Sequence, residues 1–290
     1  MTLLQKVAKE SALVKYVNKH GRVGAAEKLG LTEKDLLYQL ARIRYLADYP
    51  AFASLHLKII DKNSKLVPLN YNNAQMKLWR AVEAQKIQNK PVRICLLKAR
   101  QWGGTTQIAG AIFGETMLRE SRSSMIIAHS LESAEHIRSM SERYYDRYNL
   151  RKPPIRKQTE KLWKFEHRRT AKRVESSIRI DTAENLSAGH SFTLNNLHAS
   201  EIQKWPHAEE IVKGLFPAVP NSSDTMVFFE GTGAGVGSYW YDFCQRAQHP
   251  DSEWTFVFVP WFEIEDYQLK TTEDERKRIL DSLDTDEEIL

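Results

Sequence analysis

The stretch Lys98–Thr106, KARQWGGTT, constrains the fold more than any other. An apolar run of strand type, Val92-Arg-Ile-Cys-Leu-Leu97, precedes it, and Gln107–Leu118 follows with apolar residues at helical spacing. A strand, a glycine-bearing turn and a helix form the setting of a phosphate-binding loop. That loop's pattern, G-x-x-x-x-G-K-[ST], requires lysine in its seventh position, where this chain has Gly104. Aligned on the second glycine, Gly103 takes the sixth position and Thr105 the eighth, and Lys98 falls where the first glycine would stand. Such a loop needs backbone N–H groups around phosphate, a cation on the β and γ oxygens and a hydroxyl on Mg²⁺. Gly103 and Gly104 allow the close backbone approach, and Thr105 supplies the hydroxyl. Lys98, at the strand end, can reach the phosphates across the tight loop.

The surrounding pattern alternates strands and helices. Strands are expected at 92–97, 124–129, 177–181, 192–198, 225–230 and 254–259, and helices at about 104–120 and 131–148. This alternation predicts an α/β fold with a mainly parallel central sheet flanked by helices. Residues 1–48 read as helix throughout, within an N-terminal helical region spanning 1–60. Inside it, Arg22–Leu36 resembles a helix-turn-helix, with Ala26 at the crossing, Gly30 in the turn and Leu29, Leu31 and Leu36 in the core. Glu33 and Asp35 would open the recognition helix, where DNA contacts call for donors, so a plain helical bundle on the main domain fits better. Pro50 and the polar Asp61–Lys65 mark the boundary to the α/β domain, 61–268, and 269–290 reads as an acidic linker.

The 290 residues can bury a sizeable core. No apolar run approaches a membrane span, and the N-terminus lacks a signal peptide's apolar core. Cys95 and Cys244, without metal-type spacing, are expected as reduced core residues of a cytosolic protein. The net charge of +5 is unevenly spread: Arg143–Arg179 holds thirteen Lys/Arg against four Asp/Glu, and Glu263–Leu290 four against eleven. With Tyr144, Tyr145, Tyr148, Trp163 and Phe165 interleaved, the basic block could hold a polyanion by charge and stacking, or form a solvated hairpin around Pro153-Pro154.

Two further segments accompany the loop. Asn196-Leu-His-Ala-Ser-Glu201 has the form of a Walker B strand, and a carboxylate at its C-terminal edge, Glu201, can orient and deprotonate an attacking water. The strand at 225–230 runs into Glu230-Gly-Thr-Gly-Ala-Gly235, which brings the hydroxyl of Thr232 to the same sheet edge. Taken with KARQWGGTT, LHASEIQKWP and MVFFEGTGAG, the region from about Leu66 to Tyr267 resembles the ATPase domain of the large terminase subunits of tailed bacteriophages.

The resemblance implies a P-loop ATPase of the additional-strand, catalytic-glutamate type, using ATP and Mg²⁺ to drive double-stranded DNA into a procapsid. It implies that Lys98 and Thr105 contact phosphate and Mg²⁺, that Thr106 supports the loop and that Arg100 senses the γ-phosphate. Gln101, Trp102, Gly103 and Gly104 complete the nucleotide cradle, and Gln75 would recognise adenine, if it is not simply an exposed helix glutamine. Glu201 would be the catalytic base and Thr232 would couple hydrolysis to movement. Arg179 stands where relatives place an arginine that reaches a neighbouring subunit's ATP in a ring; a surface arginine at a strand edge describes it equally. The expected partners are double-stranded DNA, a small terminase subunit, the portal protein and further copies in a ring around a chain monomeric in isolation, all in the host cell cytoplasm.

One departure lies at Ser200, where many P-loop ATPases have aspartate near Mg²⁺. Serine can hold a metal-bound water but brings no charge, which leaves Thr105, Ser200 and Glu201 as the candidate metal groups. Another is that large terminases continue into a nuclease domain, and the acidic end of this chain has no strands to converge its carboxylates. Two other readings stay open: a helicase-like DNA translocase, and a non-catalytic DNA-binding or docking module.

Overall fold

A computed structural model of the chain describes residues 3–169, 172–184, 193–268 and 271–282. The chain opens with helices α1 (Leu3–His20), α2 (Arg22–Lys28), α3 (Glu33–Ala47) and α4 (Tyr49–His56), followed by the antiparallel pair β1 (Lys58–Ile60) and β2 (Leu66–Pro68). Next come α5 (Asn73–Ile87), β3 (Val92–Lys98), α6 (Gly104–Leu118), β4 (Ser123–Ala128) and α7 (Leu131–Asp146). After β5 (Ile155–Gln158), β6 (Leu162–Arg169) and β7 (Lys172–Thr182) the chain continues through β8 (Asn196–Ala199), α8 (Ala208–Leu215) and β9 (Met226–Gly231). It closes with α9 (Tyr239–Ala247), β10 (Thr255–Val259) and α10 (Glu273–Asp281).

The main sheet has the order β10-β3-β9-β8-β4-β7-β6-β5. Strands β10 through β7 in that order are parallel, and β6 and β5 extend the sheet antiparallel beyond β7. The central parallel strands β3, β9, β8 and β4 are buried on both faces, which explains why 92–97 and 225–230 read as nearly continuous apolar runs.

Period-2 alternation divides the side chains between two cores. Ile94 and Leu96 of β3, Met226 and Phe228 of β9 and Ile126 and Ala128 of β4 join α5, α6 and α7 on one face. Cys95 of β3, Val227 and Phe229 of β9 and Met125 and Ile127 of β4 meet α8 and α9 on the other. Cys95 and Cys244 are free and buried there, sulfur to sulfur at 3.7 Å. Helix α6 is enclosed along almost its whole length, and the Tyr45 hydroxyl from α3 donates to the carbonyl of Ala111 at 2.9 Å. Ala41, Tyr45, Tyr49 and Phe52 belong to this same core, so the helical segment merges with the α/β body well before residue 60.

Two expectations change at this level. In the α2–α3 turn, Gly30 has a positive φ, Ala26 and Leu36 are buried and Leu31 packs beside them, but Leu29 is 45% exposed and lies outside the core. The supposed recognition helix α3 is capped by Thr32, and its Asp35 pairs with Arg151 of the main body. The aromatic residues of the basic block do not form a stacking surface: Tyr144, Tyr148, Trp163 and Phe165 are buried, and Tyr145 stacks on Phe165. Strand alternation in β6 turns Trp163 and Phe165 inward and leaves Lys164 outside, paired with Glu175 at 3.2 Å. Arg156 also pairs with Glu175, and Lys161 with Asp181, so part of the basic charge is matched locally.

The Walker B strand begins at Asn196, while Phe192, Asn185 and the acidic stretch 283–290 lie outside the described residues. Among the described residues, no helix is long and apolar enough to cross a membrane.

Candidate nucleotide site

The carboxyl ends of β3, β9 and β8 sit side by side, and alternation sends one side chain from each to the α6 face. These are Lys98, Glu230 and Ser200: β9 pairs with β3 at Glu230↔Leu96, and with β8 at Phe229↔Ala199. The loop from Ala99 to Gly103 arches over them and ends at the N-terminus of α6. Gly103 caps the helix at φ 87°, ψ 16°, a left-handed conformation natural to glycine. A Cβ on Gly103 would also come within 2.8 Å of the Gln75 amide nitrogen. The first turn of α6 directs free backbone N–H groups and the positive end of its dipole toward the loop's concave side, which suits phosphate.

A cleft of about 630 Å³ opens there. It is lined by Lys98, by the loop from Arg100 to Thr106, by His129, Ser130, Glu132 and Ser133 after β4, and by Ser200, Glu201 and Lys204. Its volume is that of an ordinary small-ligand site.

Lys98 is buried, with Nζ 2.8 Å from Glu201 Oε1 and 3.9 Å from Glu230 Oε2. Burial works against its charge, but Glu230 and Glu201 outweigh that and raise its pKa above the ordinary lysine value. Glu201 occupies the left-handed region at φ 57°, ψ 47°, an uncommon and strained conformation for a non-glycine residue. Burial raises its carboxyl and the paired Lys98 lowers it further than that, so the net shift is downward. Its second oxygen accepts a hydrogen bond from Gln203 Nε2 at 2.7 Å, and the same amide donates to Thr232 Oγ1 at 2.9 Å. The base candidate and the coupling-loop hydroxyl are therefore joined through one side chain.

Glu230 is fully buried. Its Oε1 accepts from Thr105 Oγ1 at 2.7 Å and from Ser200 Oγ at 2.8 Å, with His198 Nε2 3.0 Å away. Burial favours the neutral acid, yet Lys98, His198 and the hydroxyl hydrogen bonds hold the carboxyl at about 2. Its Oε2 is buried without a hydrogen-bond donor. These groups fit a divalent cation shared with nucleotide phosphates, which needs only one or two protein carboxylates. Among the described residues, no group of three or more His, Cys, Asp or Glu is arranged to hold a metal unaided.

The expected site residues fall into three sets. Lys98, Thr105, Ser200, Glu201 and Thr232 converge, while Arg100 and Gln101 lie exposed at the cleft rim, Gln101 with a positive φ of 55°. Gln75, Trp102 and Thr106 support the loop from behind. Gln75 is buried; its Oε1 accepts from Asn72 N in a capping box, and its Nε2 donates to the carbonyl of Gly103 at 3.0 Å. Both ends of the amide expected at adenine are thus engaged, the oxygen in capping α5 and the nitrogen in fastening the loop. The Trp102 ring lies under Gly104, its carbonyl accepts from Asn72 Nδ2 at 3.0 Å, and the carbonyl of Thr106 accepts from the Tyr144 hydroxyl. Arg179 is apart from the rest: β9, β8 and β4 separate its strand from β3, roughly 19 Å at ordinary strand spacing.

Glu230 and Gln203 were not singled out by motif. Glu230 was within reach of sequence reasoning, since two adjacent parallel strands ending in register place Ser200 and Glu230 together. Gln203 carries no such signal, because its position depends on the short 3₁₀ turn Ile202–Lys204.

No protein-family model and no curated protein matches the chain. Solved structures do. The ATPase domain of the large terminase of Thermus phage P74-26 superposes with a TM-score of 0.50 at 16% identity, covering 73% of this chain and 87% of that one. The HK97 bacteriophage large terminase superposes with a TM-score of 0.52 at 14% identity, covering 79% of this chain and 49% of that one. The chain has the fold of a large-terminase ATPase domain. It spans about half the length of the HK97 large terminase. In that fold, the strand order places Lys98 and Glu201 on strands separated by one other, β9, which carries Glu230 and leads to Thr232.

Proposed function

We propose that this terminase-like domain hydrolyses ATP and that hydrolysis drives double-stranded DNA into a procapsid. The observation that carries the reading is the meeting of Lys98 and Glu201 at 2.8 Å across the floor of a cleft roofed by the glycine loop. A lysine from the strand end then does what the loop lysine does in other P-loop ATPases: it neutralises the β and γ phosphate oxygens, assisted by loop N–H groups. Thr105, with Ser200 and Glu230 behind it, would hold Mg²⁺, whose chemistry there is to offset charge on the transferring phosphoryl. Arg100, exposed at the cleft rim, would sense the γ-phosphate.

In the nucleotide-free protein, Lys98 and Glu201 neutralise each other. Phosphate oxygens compete for Lys98, and each step of its movement toward them loosens the hold on Glu201. Glu201 then gains basicity and can take a proton from water. The change is felt at Thr232 through Gln203, which supports a coupling role for that hydroxyl. Arg179, which lies within β7 and does not line its own subunit's cleft, acts in trans in this scheme, and turnover by isolated chains is slow for want of that arginine. Partners on this reading are DNA, a small terminase subunit, a portal and sister subunits, in the cytoplasm of the infected cell.

Steady-state ATP hydrolysis with and without double-stranded DNA tests the reading. Slow wild-type turnover, stimulated by DNA and abolished by Glu201→Ala in a protein with unchanged circular dichroism, is the expected result. Turnover unaffected by Glu201→Ala would remove Glu201 as the base and with it the proposed mechanism.

A further inference from the structure

We propose that Glu230 is the acid of the Mg²⁺ site, transferred to β9 from the Walker B strand, where Ser200 stands in its place. The inference rests on the ATPase reading above. P-loop ATPases hold Mg²⁺ with the loop Ser/Thr hydroxyl and an aspartate at the end of the Walker B strand. Here that strand ends in Ser200-Glu201 and has no such aspartate. The neighbouring strand runs parallel and in register, and its last side chain on the same face is Glu230. Its Oε1 accepts from the loop hydroxyl, Thr105 Oγ1, at 2.7 Å, the contact an aspartate at position 200 would make. Ser200 does not compete for that role: its own Oγ donates to the same Oε1 at 2.8 Å.

Two further observations point toward a cation. Glu230 Oε2 is buried with no hydrogen-bond donor; Lys98 Nζ stands 3.9 Å from it, and His198 Nε2 sits 3.0 Å from the other oxygen. An anionic oxygen left so is costly to bury unless positive charge arrives. Lys98 also serves two carboxylates, Glu230 and Glu201, so its movement to phosphate leaves Glu201 without its ion pair and Glu230 Oε2 without a positive neighbour, while Oε1 keeps Thr105, Ser200 and His198. A divalent cation entering with the nucleotide restores the balance. Glu230 is a positioning residue in this arrangement: it orients the Thr105 hydroxyl and supplies charge behind it, and it does not contact the transferring phosphoryl.

The test is calorimetric titration of the whole chain with AMP-PNP, in Mg²⁺ and in EDTA, for the wild type, Glu230→Gln and Ser200→Asp. Wild-type affinity should rise with Mg²⁺. Glu230→Gln should lose roughly 10–100-fold of that rise, as substitutions behind metal ligands do, while its affinity in EDTA holds or improves because a negative charge is gone. Equal loss in Mg²⁺ and EDTA would mean a structural role only and overturn the proposal, as would full retention of the Mg²⁺ effect. Ser200→Asp keeps the proposal open to refutation if Glu230→Gln does not fold. With the acid already at Glu230, it should bring no gain in Mg²⁺-dependent affinity, and a tenfold or greater gain would show that the site had lacked its acid. Wild-type binding that is indifferent to Mg²⁺ overturns this proposal alone, and a wild type that does not bind AMP-PNP overturns the ATPase reading with it.

Discussion

Gly104 explains at the level of single residues why the lysine lies elsewhere. A Cβ at this position would come within 2.5 Å of the Trp102 ring, which is buried beneath the loop. Gly104→Ala is therefore expected to destabilise by about 1–3 kcal/mol through overpacking, measurable by urea unfolding. Gly104→Lys, which restores the usual loop sequence, should not rescue ATP binding in Lys98→Ala. Glu230 gives a pH signature. Its carboxyl is depressed to about 2 from an ordinary 4.5, so its contribution is complete above about pH 4.5 and is lost as pH falls toward 2. The stability of wild type relative to Glu230→Gln should fall as pH is lowered through that window, as read by urea titrations at stepped pH. The residue types at Lys98, Thr105 and Glu201 were legible because each follows an apolar strand. Glu230 was within reach as the residue that ends its strand's apolar run, but its partners Thr105 and Ser200 are set only by the packing of the strands in space.

At the level of elements, the loop is held from below by α5. Asn72 and Gln75 cap that helix and bind the carbonyls of Trp102 and Gly103, so one cap fixes two structures. Gln75→Ala should cost about 1–2 kcal/mol and speed amide exchange in residues 99–103, as read by mass spectrometry. The sequence pattern revealed a helix here but not its load, since a capping glutamine and a ligand-binding glutamine look alike in one dimension. The two readings of the basic hairpin stayed open for a related reason. Its aromatic residues alternate with cations, and only the packing of β6 against α6 and α7 shows that Trp163 and Phe165 belong to the core. Phe165→Ala should lower stability by about 3–5 kcal/mol in thermal or urea unfolding, not act as a selective loss of DNA affinity.

Across the whole molecule, the parallel sheet gathers at one edge groups that are more than a hundred residues apart in sequence, as Lys98 and Glu201 are. The α/β class and strand succession were readable because parallel strands buried on both faces have long apolar runs. That α3 and α4 supply Tyr45, Tyr49 and Phe52 to the main core was not, because helical periodicity marks a buried face without naming what covers it. Under the proposed function the role of Arg179, whose strand β7 is separated from β3 by three others, belongs to the assembly. The central claim is that Lys98 is the phosphate-binding lysine and is held by Glu201 until nucleotide arrives. The direct test is the equilibrium affinity for a fluorescent ATP analogue of wild type, Lys98→Ala and Glu201→Ala, each confirmed folded by circular dichroism. Lys98→Ala should lose roughly 100-fold, the loss of about 3 kcal/mol that follows removal of a charged hydrogen bond, and Glu201→Ala should bind as tightly as wild type or tighter because its competitor for Lys98 is gone. Binding by Lys98→Ala at wild-type affinity would contradict the account.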